Sequence, residues 1–523
     1  MFRQNKSIYF IEIFWLFSLI IFASLIYLNQ KYIGLFFNSD HLMFPSVFKD
    51  LFLNQGHYKD WSLSPAPHFF PDIFTFSPAF LLTKDIYFQF LITLCLQLVF
   101  LYLAVKYLYS QFFSKTSAIV FSLASASIFY LLTFKKPASI LLAAGPLIPA
   151  GHMGEFIVGI FVVGMQLKII NYSDNLEHKN NLLLLGTALS FLCSLSDWLF
   201  FIQFSAAIFF IYLFLYINRS IKFKVVRHYA LLPFMASIAG VFFTKHVVPA
   251  DILSGYLSHP SLEKISIDTI HNQFLMLINL FKMDLNWFTG IQSILFYSGV
   301  FFLFFIHIKT KKTVSSLDIK LRFLSGFIIF SSSLSIISIF LLAQENYVQD
   351  KYLFPLFFFP VLLFFYLNTK LVNFRFIYNS VLGLAGLVIL VVLFYIITLP
   401  HQPGFKIKLS YYPSYITCID QTLHGHDPNG IAQYWDARLI SMLSREKLQV
   451  MPVLSNLVNF PFAINRKRYR STYAFAIIDT SLTGDWLLDQ TLIESINGRP
   501  EKTVYCGSKK ILIYQENKLK VHV

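Results

Sequence analysis

The chain has 523 residues, of which 56% are hydrophobic and only 13% charged, with 61 Phe and a formal net charge of +15. Mean hydropathy is +0.61, whereas soluble globular chains carry about 25% charged residues, so a soluble enzyme or a nucleic-acid-binding module is excluded as the main architecture. Repeated apolar runs of about 20 residues read as membrane-spanning helices, and Lys and Arg in the short loops between them read as orientation chemistry and attraction to membrane lipids.

The N-terminus carries Arg3 and Lys6, then a long apolar run with no small-residue cleavage site, which predicts an uncleaved first span at 8–28. Further spans are expected at 86–106, 117–134, 153–171, 181–197, 199–217, 229–247, 290–308, 323–343, 352–368 and 377–398. The result is a mostly α-helical polytopic membrane protein with about eleven transmembrane helices. With that number, Lys106, Lys115, Lys168, Lys179, Arg219, Arg227, Lys309, Arg322, Lys370 and Arg375 share the side of the N-terminus, which the positive-inside rule makes cytoplasmic. The stretch 135–152 breaks the pattern: it has two lysines on the wrong side and carries Pro137, Pro146 and Pro149, so a broken or re-entrant helix is expected there.

Within the membrane domain, 1–399, a large loop at 29–85 falls on the outer side. Its stretch 38–74 holds four Asp, three His, four Pro and Trp61. "FPSVFKDLF" predicts a short helix with Val47, Phe48, Leu51 and Phe52 on one side, flat on the membrane surface; "SPAPHFFPDIF" predicts a second one. Asp40 leaves the first span beside His41. It reads either as an N-cap, with Ser39, or as a partly desolvated carboxylate of raised pKa suited to a general base. Asp60 and Asp72 read as turn and cap residues. His68, among aromatics, fits packing, a phosphate or a metal.

Other polar residues gather toward the same side. His152 and Glu155 lie one helical turn apart, so both side chains share a face able to hold a metal. Asp197, in "SLSDWLFF" between two apolar runs, is a site residue or the terminator of a helix hairpin. Lys245 and His246 close the span 229–247. "QENYVQDKYLFP" brings Glu345, Asp350, Lys351 and Tyr352 together; Lys351 either holds a lipid-linked phosphate or anchors, with Tyr352, at the interface. The cytoplasmic loops contain no Walker-type or dinucleotide-binding motif, so chemistry is expected outside, without nucleotides.

From 400 the composition turns polar, and 400–523 predicts a small extracytoplasmic α/β domain. Strands are expected in "STYAFAIIDTS" and "KTVYCGSKKILIYQ", with "CGS" as a hairpin turn, and a helix over "GIAQYWDARLISMLS". Cys418 and Cys506 are disulfide candidates; Cys95 and Cys193 lie in spans as core thiols.

This order of first span, acidic outer loop with surface helices, many further spans and an outer domain resembles the GT-C superfamily of polytopic glycosyltransferases. Protein mannosyltransferases and the aminoarabinose transferase of lipid A belong to it. The resemblance covers about residues 1–400, mostly as architecture. It implies transfer of a sugar from a polyprenyl-phosphate carrier to an acceptor at the outer face of a membrane. "NSDHLMFP" matches the family's early acidic residue, which makes Asp40 a base or metal ligand, with His41 where many members carry a second acid. "DKYLFP" matches an R-Y-x-x-P kind of sequence and puts Lys351 near the lipid phosphate, assisted by Lys245 or His152. Lys replaces the usual Arg there, which loses bidentate phosphate contact. A divalent metal, Mg or Mn, is allowed but not required. Abundant Phe, Ile, Lys and Asn points to an AT-rich bacterial genome, hence an inner membrane with the N-terminus in the cytoplasm and 400–523 in the periplasm. The rival class is a transporter, flippase or glycolipid-binding scaffold, which needs polar residues along a path through the bilayer rather than at one face.

Overall fold

Helices dominate the chain. In the computed structural model, residues 2–30, 33–64, 66–135, 152–170, 176–246, 267–284, 287–309, 316–342, 353–362, 396–401, 404–481, 487–515 and 518–522 are described, with single positions between 383 and 394. In chain order the main helices before the C-terminal domain are α1 (Phe2–Asn29), α2 (Met43–Leu53), α3 (Asp72–Leu82), α4 (Ile86–Tyr109), α5 (Lys115–Lys135), α6 (Met153–Ile169) and α7 (Leu176–Ser196). They continue with α8 (Trp198–Ile217) and α9 (Phe223–His246), then α10 (Ile267–Asp284), α11 (Trp287–Lys309), α12 (Ser316–Leu342) and α13 (Phe354–Phe358).

Five of the described helices are long and apolar enough to cross a membrane: α1, α4, α8, α9 and α12. The expected number was about eleven. Of the remainder, α5 and α11 carry shorter apolar stretches, Lys115–Ile128 and Ser293–Phe302; the expected span at 352–368 is described only over 353–362, and the one at 377–398 and the breaker segment 135–152 lie mostly outside the described residues. The apolar character of α8 extends around its circumference: Ile208, Ile211 and Leu215 are buried while Phe210 and Ile217 face outward, the signature of a helix with lipid on one side and protein on the other. The α7 and α9 backbones touch, since a Cβ at Gly240 would lie 2.5 Å from the Phe191 carbonyl oxygen; small residues are what permit such approach between membrane helices.

The two ends of the bundle carry different contacts. At one end Lys106 pairs with the buried Glu12 of α1, Lys115 lies 4.7 Å from the Tyr9 ring centroid, Lys320 donates to the Gln111 carbonyl at 3.1 Å, and Arg322 donates to Ser220 at 3.0 Å. The other end of α1, roughly 24 Å along the helix at 1.5 Å per residue, carries the C-terminal domain: the Lys408 amide donates to the Leu28 carbonyl at 2.9 Å, and Tyr87 donates to the Lys408 carbonyl at 2.9 Å.

The loop after α1 is a second small core. Phe48 of α2 packs on Phe76 and Phe80 of α3, with ring centroids 5.3 and 5.2 Å apart. Val47 and Phe48 are therefore buried by α3, and Phe52 and Leu53 are the exposed ones, so the apolar side of α2 is divided rather than spread wholly on a surface. Between the helices β1 (Trp61–Ser62) pairs antiparallel with β4 (Ile464–Asn465) of the C-terminal domain, Trp61 opposite Asn465.

That domain contains helices α14 (Ser414–Leu423), α15 (Tyr434–Leu443) and α16 (Gln490–Asn497). Its five-stranded sheet has the order β3 (Gln449–Pro452), β2 (Asn429–Ala432), β6 (Phe475–Asp479), β8 (Lys509–Ile513), β7 (Lys502–Cys506). β2 runs parallel to β3 and β6; β8 is antiparallel to β6 and β7. The β7–β8 hairpin turns at Gly507, whose φ of 67° suits glycine. β5 (Thr472–Tyr473) pairs with β9 (Leu519–Lys520) outside this sheet. The expected helix over "GIAQYWDARLISMLS" is a correction: its first residues form β2, fully buried mid-sheet, and helix begins only at Tyr434. Gly430 is needed in that strand because a Cβ there would meet the Phe475 ring at 2.1 Å. Cys418 of α14 is bonded to Cys506 at the end of β7, with Cα atoms 5.6 Å apart.

Candidate functional site

The aspartates of the early loop divide into two groups with different surroundings. Asp50, buried on α2, accepts hydrogen bonds from Trp61 Nε1 at 2.8 Å and Asn465 Nδ2 at 2.7 Å and pairs with Arg468. Asp60 pairs with Lys467 at 3.1 Å. Asp40 accepts from the hydroxyl of Tyr434, at the start of α15. Ser39 donates to the Tyr434 carbonyl at 2.7 Å, and the Arg438 guanidinium ties the carbonyls of Ser39 and Ala463 together. Apart from the Trp61–Asp50 bond, which lies within the loop, these contacts join the loop to the C-terminal domain. Asp40 is not the N-cap of α2: Leu42 holds that position, with no side-chain cap. His41 folds back on Asn38, which accepts from its amide at 3.0 Å and meets its Nδ1 at 2.8 Å.

The second group is buried where four helix ends converge. His68 leads into α3 and Asp72 is in the first turn of α3. His152 precedes α6 and Glu155 is in its first turn. Asp197 caps α8, accepting from the Leu199 amide at 2.9 Å through one oxygen and pairing with His152 Nδ1 through the other. Asp197 thus sits between α7 and α8, as a residue ending a helix hairpin would, and it also faces His152. His68 Nδ1 lies 3.2 Å from Glu155 Oε1 and 3.5 Å from Asp72 Oδ2, and the two imidazole centroids are 4.7 Å apart. The arrangement is stapled by Ser196 at the end of α7, whose hydroxyl accepts from the Phe70 amide at 2.8 Å and whose carbonyl accepts from the His68 amide at 3.2 Å. Gly154 lets α6 close on α3, since a Cβ there would come within 2.8 Å of Pro71 and 2.9 Å of Asp72 Oδ1. His68 and His152 both have left-handed backbone, φ 52° and 63°, a conformation uncommon outside glycine that clusters at functional sites.

Electrostatics set the protonation of this group. Burial works against a charged His68, but the carboxylates of Asp72 and Glu155 more than offset it and raise its pKa to about 10. Even so the carboxylates are undersatisfied: Asp72 Oδ1 and Glu155 Oε2, both buried, accept no hydrogen bond among the described residues. Orphaned buried oxygens are costly unless something meets them.

A divalent cation fits in place of the His68 Nδ1 proton, which it would displace from between Asp72 and Glu155. One imidazole and two carboxylates suit Mg or Mn, more so Mn because of the nitrogen. The donor atoms of His68, Asp72 and Glu155 lie within 4.8 Å of one another, as do those of His68, His152 and Asp197. Ligand bonds of roughly 2.1 Å set donor-to-donor edges of about 3.0 Å in an octahedron and about 3.4 Å in a tetrahedron, close to the 3.2 and 3.5 Å measured around His68 Nδ1.

Of the other residues singled out from sequence, Lys245 and His246 are exposed at the end of α9, near this cluster through Thr244, which donates to the Leu195 carbonyl at 2.5 Å. Glu345, Asp350, Lys351 and Tyr352 lie outside the described residues. Description resumes at Leu353, and Phe354 packs edge-on against Phe156 of α6, centroids 4.5 Å apart, next to Glu155. Asp72 is the residue that sequence reasoning valued too little; the signal was its spacing of four from His68. In a separate charged group in the C-terminal domain, Lys509 lies 2.6 Å from both Asp436 and Asp479. Comparison with known protein families and with curated proteins gives no match.

Proposed function

We propose that this chain is a membrane glycosyltransferase that moves a sugar from a polyprenyl-phosphate carrier to an acceptor at the outer face of a bacterial inner membrane. The observation that carries the reading is the buried cluster of two imidazoles and three carboxylates at the end of the bundle that bears the C-terminal domain. By the positive-inside rule the opposite, Lys-rich end is cytoplasmic, and the Cys418–Cys506 bond suits an oxidising exterior. The proposed topology keeps about eleven spans.

In the reaction, the acceptor hydroxyl oxygen attacks the anomeric carbon as the bond from that carbon to the phosphate oxygen breaks. The electron pair leaves with polyprenyl phosphate, and the acceptor proton passes to a base. His152, oriented by Asp197, is our assignment for that base, since a carboxylate behind an imidazole stabilises the imidazolium that forms. Asp40, the base implied by family resemblance, hydrogen-bonds Tyr434 instead, and we assign it to domain docking. His68, Asp72 and Glu155 would hold a divalent cation, which when bound supplies positive charge beside the departing phosphate. Lys351, which lies outside the described residues, is assigned a further positive charge there on the family resemblance alone.

The test is release of polyprenyl phosphate from radiolabelled lipid-linked hexoses by the purified protein in nanodiscs. Turnover by the native chain and a loss of about 100-fold or more in Asp197→Asn and Glu155→Gln is expected. Full turnover in both variants would remove the cluster from the reaction, and the non-enzymatic transporter or scaffold reading would take its place if no substrate in the panel turned over.

A further inference from the structure

A cavity of about 840 Å³ opens between α2 and the C-terminal domain. Five cations line it, Lys49, Arg438, Lys447, Lys467 and Arg468, against two carboxylates, Asp50 and Asp60. Both carboxylates are already engaged, Asp50 by Trp61, Asn465 and Arg468, and Asp60 by Lys467. Arg438 is committed to backbone carbonyls. The ammonium groups of Lys49 and Lys447 meet no acceptor among the described residues.

The cations also oppose one another. Burial lowers the pKa of Lys49, and the charges of Arg468 and Lys447 lower it further. Like charges held together in a partly enclosed, low-dielectric cleft focus positive potential into it. An anion entering would relieve that repulsion. The rest of the wall mixes the amides of Asn54, Gln55 and Gln449 with apolar side chains, among them Met442, Met451 and Ile464. The volume far exceeds a single phosphate ion and suits a ligand of several rings or repeat units.

We propose that this cleft binds a phosphate-bearing polar chain, a glycan or polyol phosphate, with its phosphates among Lys49, Lys447 and Arg468 and its hydroxyls on the amides. The site is separate from the cluster at the helix ends and does not depend on the transfer reaction proposed above. The phosphate can belong to a free chain or to a lipid headgroup, and the experiment distinguishes them.

Full-length protein in nanodiscs is titrated with a fluorescent glycerol-phosphate hexamer and with a neutral maltohexaose, by fluorescence anisotropy. Lys447→Glu, at an exposed position, and Lys49→Gln test the site without removing a buried contact. The hexamer should bind, weaken with salt, and lose about tenfold in affinity or more in Lys447→Glu, while maltohexaose does not bind. Equal hexamer binding in zwitterionic and anionic nanodiscs identifies a free chain as the ligand; competition by anionic lipid, lost in Lys447→Glu, identifies a headgroup. No hexamer binding in either membrane, equal binding of the neutral chain, or affinity unchanged in both variants overturns the proposal.

Discussion

Replacing Asp50 by Ala should uncouple the early loop from the C-terminal domain. Its carboxylate, 2% exposed, is the common acceptor for Trp61 and Asn465, themselves 3% and 5% exposed. The substitution leaves two buried donors without a partner, at about 1–3 kcal/mol each. Arg468 is one-third exposed, so its ion pair adds only about 0–1 kcal/mol. Water from the adjoining cleft can reach part of the gap, which brings the expected loss to about 2–4 kcal/mol. Asp50→Asn keeps one acceptor oxygen and should cost less. The assay is hydrogen exchange on the nanodisc-held protein, read at the β1–β4 pairing and at α14–α15, together with a denaturant titration of the C-terminal domain. Loss of protection at Trp61 and Asn465, with the β7–β8 hairpin still protected, is expected. Asp50→Ala within about 0.5 kcal/mol of the native chain, with β1–β4 protection unchanged, would refute the reasoning.

Gly154→Ala should destabilise by about 1–3 kcal/mol and displace the Asp72 carboxylate, since the new methyl would lie 2.9 Å from Asp72 Oδ1; Mn affinity by calorimetry should fall with it. His68→Ala and Asp72→Asn should each weaken Mn binding at least about tenfold, whereas Asp40→Asn should leave it unchanged, because Asp40 faces Tyr434. Paired Cys418→Ser and Cys506→Ser should cost the C-terminal domain about 2–4 kcal/mol in denaturant, and added reductant should then have no further effect.

Much of the site was legible as residue types but not as partnerships. His68, His152, Glu155 and Asp197 stood out as polar residues beside apolar runs, and the first spans follow from uninterrupted hydrophobicity. Which of them meet depends on contacts 45 and 87 residues apart in sequence, fixed by Gly154 and Ser196, which carry no charge and attract no notice. Asp40 looked like a cap or a base because nothing nearby in sequence announces Tyr434, 394 residues on. The same holds for β1 and β4, two residues each, which are strands only because they pair with one another. β2 was read as helix because a short strand buried on both faces lacks alternation, and the period of α15 extends plausibly back over it.

The most direct test is a cryo-electron microscopy structure of the nanodisc-held protein with polyprenyl phosphate added. The account predicts phosphate density at the domain-bearing end of the bundle, beside the start of α6 and within reach of His68, Asp72 and Glu155. Lipid bound only around the outer belt, with the cluster sealed from it by packed side chains, would contradict the transferase reading.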